Sequence, residues 1–522
     1  MSKMPRRRTK SRNDGAGGTA EPVILLPDAV LVNDGSPDPL PGAAVRIDGN
    51  RIAEVGEAKG VLEANPDVAV LELANCLVMP GLVNAHQHGR GLSDLQQGFR
   101  DDLLELVIAT RLQRCPQVCA PFVSLAAAEM LRNGVTCTVQ ANVTFGNDYE
   151  AEIRAMLETY DQAGIRATLC VGAQDQGQIV YPDEDEAAFL AGLPDDLQQR
   201  LSEAKRRPYA GDGPGTVALM DRLLADYGNH PRIKLWYGPA GPQWLSDDHF
   251  RCLVDAAGAQ GVGFHLHCLE TRAQRAALDR MYPDGVLAHL DGLGVLSPRS
   301  SLAHCVFLSP ADMEIAAKRE ITIVHNPGSN LRLHNGAAPV AEFVKRGIRV
   351  AIGTDNRALE QGEDLLKEIR LAQALARSSE WNGPPPLGTS ELLAMATVNG
   401  ARAAMTEDEV GTLEAGMKAD LIAISLDRAV GAYLDGDVPI LEAVLARAEG
   451  RDVRLTMVEG RVQFKDGALL SIDEASVRER ARLAAEASNK KIKTSDRRLA
   501  QILCDHLRDH YQEMTAAGGK DG

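Results

Sequence analysis

Apolar positions along this chain follow two rhythms. From Pro22 to about Pro80 they come in short runs, VILLPDAVLV, then AAVRIDGNRIAEVG, then VAVLEL. Asp48-Gly49-Asn50 inside the second run is a strong hairpin signal, because it places turn residues between two alternating segments. From Gly81 to about Met405, β-branched runs alternate with amphipathic stretches. GVTCTVQ, IRATLCVGA, RIKLWYGPA, VGFHLHCLE, SSLAHCVFLS, ITIVHNP and RVAIGTD read as strands, and SLAAAEMLRNG, DMEIAAKRE and APVAEFVKRG as helices between them. Such βα repetition over this length predicts a (β/α)8 TIM barrel, which typically takes about 250 residues plus insertions.

The first rhythm then returns. GTLEAGMKADLIAIS and VRLTMVEGRVQFKDG read as β-hairpins that join the early strands in one small β-domain. The predicted organisation is a basic disordered tail at 1–21, a composite β-sandwich from 22–80 and 408–470, a barrel at 81–407, and a C-terminal helical extension at 471–522.

Composition narrows the functional classes. The chain has 522 residues, 44% apolar and 25% charged, as expected of a soluble globular protein. No apolar run reaches the roughly 20 residues that a membrane-spanning helix needs. A net charge of −16 disfavours a nucleic-acid partner and leaves a small-molecule substrate. The nine cysteines are scattered and complete no zinc-ribbon spacing, so they read as reduced thiols. No apolar segment follows the basic start MSKMPRRRTKSRNDGAGGTA, which excludes a secretory signal and implies a cytoplasmic protein. The amphipathic extension offers a surface for a homo-oligomer.

Four polar clusters fall where barrel strands end, the face on which such barrels place their sites. They are NAHQH (His86, Gln87, His88), FHLHCLE (His265, His267, Glu270), AHC (His304) and GTDN (Asp355, Asn356). Residues two apart in a strand share a face, so His86 and His88 aim at one point. Singly, each cluster reads equally well as a polar strand face, a hydrogen-bonded core histidine or a helix cap. Jointly, three imidazoles and a carboxylate suit one divalent metal, Zn2+ ahead of Fe2+. His506 and His510 form an HxxxH pair, but Leu507 stands where a zincin needs Glu, so they read as a solvated helix face.

The order of these segments, with LAHCVFLS, VHNPGSNLRL, ATVNGARAA and GTLEAGMKADLI, resembles the amidohydrolase superfamily, in its guanine deaminase, cytosine deaminase and triazine hydrolase branch. The resemblance implies a metal held by His86, His88, His267 and Asp355, with Glu270 as general acid/base and His304 orienting the attacking water. It leaves His265 as a packed neighbour, and gives Asn356 and His325 to the substrate's edge. Binuclear members carry a modified Lys at the end of strand four; here Lys234 comes early in that strand, which favours one metal.

The implied activity is displacement of an amino or other substituent from a nitrogen heterocycle. Hydrolysis of an amide, urea or carbamate by the same site, or a binding protein without catalysis, are the competing readings. GRGLSDLQQGFRDDLLELVIATRL should line the pocket, and Gln87 and Gln243 are expected to bind substrate there. Gln140, Asn142, Gln174 and Asp175 read either as pocket groups or as caps, and Trp244 as a stacking surface or core.

Overall fold

The computed structural model describes residues 21–518, apart from 111–114, 147, 178, 204–208 and 210. The stretch read as a basic tail lies, except for Glu21, outside the described residues. Eight parallel strands follow one another around a barrel: Leu82–Gln87, Val135–Ala141, Arg166–Ala173, Ile233–Pro239, Phe264–Cys268, Ser300–His304, Thr322–His325 and Arg349–Ile352. They coincide with the β-branched runs of the sequence, buried on both faces as parallel strands are. A bridge between Gln87 and Asp355 closes the ring, and the Asp355 N–H donates to the His86 carbonyl at 2.9 Å.

Helices between the strands start and stop on local chemistry. The Asp148 carboxylate accepts from the Ala151 N–H to open Tyr149–Ala163, and Gly164 (φ 78°) ends it in the left-handed region. Ser309 and Asp312 form a capping box on Pro310–Lys318.

Strands from both ends of the chain make one nine-stranded sheet. Its seam is the antiparallel pairing of Leu421–Ser425 with Ala69–Pro80, from Leu421 opposite Pro80 to Ser425 opposite Cys76. The hairpin expected around Gly49 is present, with Asp48 opposite Arg51, as is that of VRLTMVEGRVQFKDG, with Val458 opposite Arg461. GTLEAGMKADLIAIS, however, is not a hairpin. Its first half pairs with the early chain instead: the Gly416 N–H donates to the Ile52 carbonyl and Lys418 bridges Arg51, so only Leu421–Ser425 is a strand. One face of this sheet buries a core that includes Leu25, Val45, Ile47, Leu421, Leu455 and Met457.

Barrel and sheet are fastened by a buried charge cluster. Arg166, fully enclosed, contacts Asp420 at 3.1 Å and Glu409 at 2.9 Å. Lys418 and Glu459 extend the cluster at 3.0 Å. Deleting one partner of such a pair strands a buried charge, at a cost of about 3–5 kcal/mol.

The C-terminal extension is helical, as Glu474–Asn489 and Thr494–Gly518. The first helix lays Val477 and Ala481 against Leu125 of the barrel. The second crosses the C-terminal rim of the barrel. Its outer face is charged, but the His510 ring packs on Phe189 (5.1 Å), so the HxxxH pair is not simply solvated. No helix among the described residues is long and apolar enough to cross a membrane.

Candidate active site

Each polar cluster reaches the rim because a strand ends beneath it. His86 and His88 straddle the end of the first strand, His267 lies near the end of the fifth, and His304 closes the sixth. Asp355 follows the eighth. Leu269, His304, Cys305 and Asp355 all hold positive φ (48°, 73°, 51° and 53°), a conformation uncommon for residues that carry a Cβ. Strain gathered at these strand ends marks a functional site, since the surrounding fold must impose it. Gly353 permits a close approach there, because a Cβ would stand 2.5 Å from Asn326 Oδ1 and 2.7 Å from the His86 carbonyl oxygen.

The side chains converge. The His88 Nε2 lies 2.8 Å from Asp355 Oδ1, and the His86 Nε2 lies 3.2 Å from the same oxygen. The His267 Nε2 is 3.5 Å from the His88 Nε2. One ligating atom each from His86, His267, His304 and Asp355 lie within 4.8 Å of one another. Behind them, the second ring nitrogen of each imidazole meets an acceptor. His88 Nδ1 meets the Ala141 carbonyl at 2.7 Å, His267 Nδ1 the Ala240 carbonyl at 2.9 Å, and His304 Nδ1 the Asn330 Oδ1 at 2.8 Å.

For His86 the acceptor is His265, whose Nε2 stands 2.7 Å from His86 Nδ1 while its own Nδ1 faces Ser301 Oγ at 2.6 Å. Each Nδ1 therefore carries the proton, and each Nε2 turns a lone pair inward.

Lone pairs and a carboxylate facing one another at these separations repel unless a cation stands among them. The set therefore fits a divalent metal ion by its own chemistry. Burial agrees in direction. It pushes the His86 imidazole down to about 4 and His267 well below its usual range, so both stay neutral donors at neutral pH. Burial alone would raise the Asp355 carboxyl, but its close contacts with the His86 and His88 rings hold it well below the ordinary range.

Glu270 sits beside the cluster, 2% exposed. Its Oε1 accepts from the Asn335 amide at 2.9 Å, and its Oε2 lies 3.6 Å from the His304 Nε2, a buried nitrogen with no hydrogen-bond partner. Burial, then the nearby Asp355 charge, push the Glu270 carboxyl well above its usual value, as suits a group that takes and returns a proton.

Above the cluster opens a cleft of about 1100 Å³, its open mouth included. His88, His267, Glu270, Asp355 and Asn356 line its floor. The segment after His88 contributes Arg90, Asp94, Leu104, Glu105, Val107 and Ile108, as its position in the sequence predicts. Gln174 and Trp244 also face the cleft.

Other expected groups are placed elsewhere. Gln87 donates to the Tyr160 hydroxyl at 3.0 Å and accepts from the Gly89 N–H, away from the cleft. Gln243 is 1% exposed in the wall, without a partner for its amide, and His325 is fully enclosed. Gln140 and Asn142 are bonded to Tyr160 and Tyr149, and Asp175 to Ser246. Sequence reasoning missed Asn335, Glu105, Tyr181 and Tyr511. Only Glu105 lay in a stretch marked as pocket-lining.

A closed (β/α)8 barrel that gathers four imidazoles and two carboxylates on its C-terminal rim defines a metal-assisted hydrolase. The chain belongs to the amidohydrolase family, whose model matches residues 77–463. It is similar to the 5'-deoxyadenosine deaminase of Methanosarcina barkeri, 32% identical over 472 residues that cover 89% of this chain and 98% of the relative. Against the 5-methylthioadenosine/S-adenosylhomocysteine deaminase of Moorella thermoacetica it is 30% identical, covering 87% and 97%. Among solved structures, an adenosine deaminase from Xanthomonas campestris with bound zinc superposes with a TM-score of 0.74 at 24% identity, covering 90% of this chain and 98% of that one. The chain is thus an enzyme of the deaminase type, a hydrolase of carbon–nitrogen bonds.

Proposed function

We propose that this enzyme removes the amino group from the adenine ring of nucleosides whose 5' carbon bears hydrogen or a thioether, using one zinc ion. The convergence of imidazoles and the Asp355 carboxylate beside Glu270 carries the reading. His86, His88, His267 and Asp355 would hold the ion, and its chemistry there is to make a water acidic near neutral pH. His304, whose Nε2 lone pair has no other partner, would accept a hydrogen bond from the attacking water and orient it.

Glu270 Oε2 takes a proton from water as the oxygen–carbon bond forms. It returns that proton to the amino nitrogen, the carbon–nitrogen bond breaks, and ammonia leaves. Asn335 holds the other Glu270 oxygen, so a single oxygen does the transfer. The substrate class is supported by the two nucleoside deaminases above and by the apolar side of the cleft, where Leu104, Val107, Ile108, Ile179 and Val180 suit a 5' end without a hydroxyl.

Ammonia release from 5'-deoxyadenosine, 5'-methylthioadenosine, adenosine, guanine and cytosine by the zinc-loaded enzyme tests this. The first two are expected to give the highest kcat/KM. Silence on all adenine nucleosides, with amine released from an aryl urea or carbamate, would overturn the substrate reading. The His86–His265–Ser301 chain adds a second expectation. His265→Ala leaves the His86 Nδ1–H without its acceptor, so zinc affinity should fall by about 10–100-fold in a competing-chelator titration. An unchanged affinity would remove His86 from the ligand set.

A further inference from the structure

We propose that the C-terminal helix Thr494–Gly518 is a wall of the substrate pocket, and that Tyr511 limits the size of the substituent remote from the reacting carbon. The proposal rests on the reading of the cleft given above. The buried face of this helix carries Leu499, Leu503, Leu507, Tyr511 and Met514, spaced by three or four as one helical stripe. That stripe packs on Leu106, Tyr181 and Ala277, which belong to the segments following strands one, three and five. These are the segments that carry the pocket's own residues, so the helix ties together three parts of one site.

Three ion pairs lie along its edges, two of them solvent-exposed: Arg508 with Asp102 (2.7 Å), Arg498 with Asp196 (3.2 Å) and, part-buried, Arg200 with Asp496 (3.0 Å).

Among the described residues, Tyr511 is the one residue of that helix that lines the cleft. Its ring lies 5.4 Å from that of Tyr181, which stands 6.0 Å from that of Trp244. These three rings form a continuous aromatic side to the cleft. The Tyr181 hydroxyl donates to Glu105 Oε1 at 2.8 Å, and the Thr271 hydroxyl donates to the same oxygen, so the helix also backs a carboxylate that faces the cavity. An aromatic ring held on a packed helix yields little, and a longer apolar substituent must displace it.

The test compares kcat/KM for 5'-deoxyadenosine, 5'-methylthioadenosine and 5'-butylthioadenosine in the zinc enzyme and its Tyr511 variants. Tyr511→Ala should raise the butylthio-to-deoxy ratio by about 10-fold, the scale on which pocket space discriminates apolar groups. Tyr511→Phe, which keeps the ring, should hold the wild-type ranking. A thermal melt checks that Leu499, Leu503 and Leu507 still dock the helix; if the Ala variant unfolds, Tyr511→Leu is measured in its place.

Equal effects on all three nucleosides, or none, would refute the wall. If the wild type deaminates no nucleoside, the substrate reading fails by itself. The wall is then judged on cobalt-substituted enzyme from the visible spectrum, by the binding of imidazole and of imidazoles with longer 4-substituents. A selective gain for the longer ones in Tyr511→Ala supports it, and a uniform change rejects it.

Discussion

Glu270→Gln should lower kcat by roughly 10³-fold with zinc content unchanged, the scale on which a positioned proton carrier contributes. The substitution is nearly isosteric. The new amide oxygen can still accept from Asn335, and the backbone N–H of residue 270 keeps its 2.7 Å bond to Gln274, so the fold has no reason to move. What disappears is a base whose proton affinity burial has raised. Comparing kcat and bound zinc in the two proteins decides the matter: a variant within a few-fold of wild type would show that another group carries the proton.

The second large effect concerns the ion. Asp355→Ala should leave protein that retains less than a tenth of an equivalent of zinc after dialysis, with turnover at background. Asp355 is the one anion among the inward-facing donors: the His86 and His88 Nε2 atoms face it, and the Ser329 hydroxyl donates to it. Without it, three neutral imidazoles face one another with nothing to offset a cation's lost hydration. Metal analysis of wild type and variant, and titration of chelator-stripped wild type with zinc, give the check. Activity should return at one equivalent of zinc; a requirement for two would replace the mononuclear reading.

The barrel was legible because parallel strands are apolar on both faces, which leaves short β-branched runs bounded by turn residues, repeated between amphipathic helices. The convergence at its rim was legible for a related reason. Strand alternation puts His86 and His88 on one side, and the same alternation turns Gln87 to the other, where Tyr160 receives it. Taking Gln87 for a substrate group ignored that rule. Asn335 and Tyr511 carried no comparable signal. Asn335 acts through a contact with Glu270, many elements away in the chain. The stripe on the last helix gives its buried face but not the surface it docks on. The error at GTLEAGMKADLIAIS has the same origin, since turn residues and apolar runs fix where a segment bends, and the partner strand came from the other end of the chain.

That long-range seam also has a kinetic meaning. During synthesis the strand ending at Pro80 emerges early, yet one of its two neighbours, Leu421–Ser425, emerges only after the entire barrel has been made. Until then an edge rich in unpaired backbone groups stays exposed, an invitation to pair with another chain. Closure of such distant ends is slow because the loop entropy must be met before any pairing rewards it. Refolding of this enzyme should therefore finish with the docking of its two termini, and its yield should fall steeply as protein concentration rises.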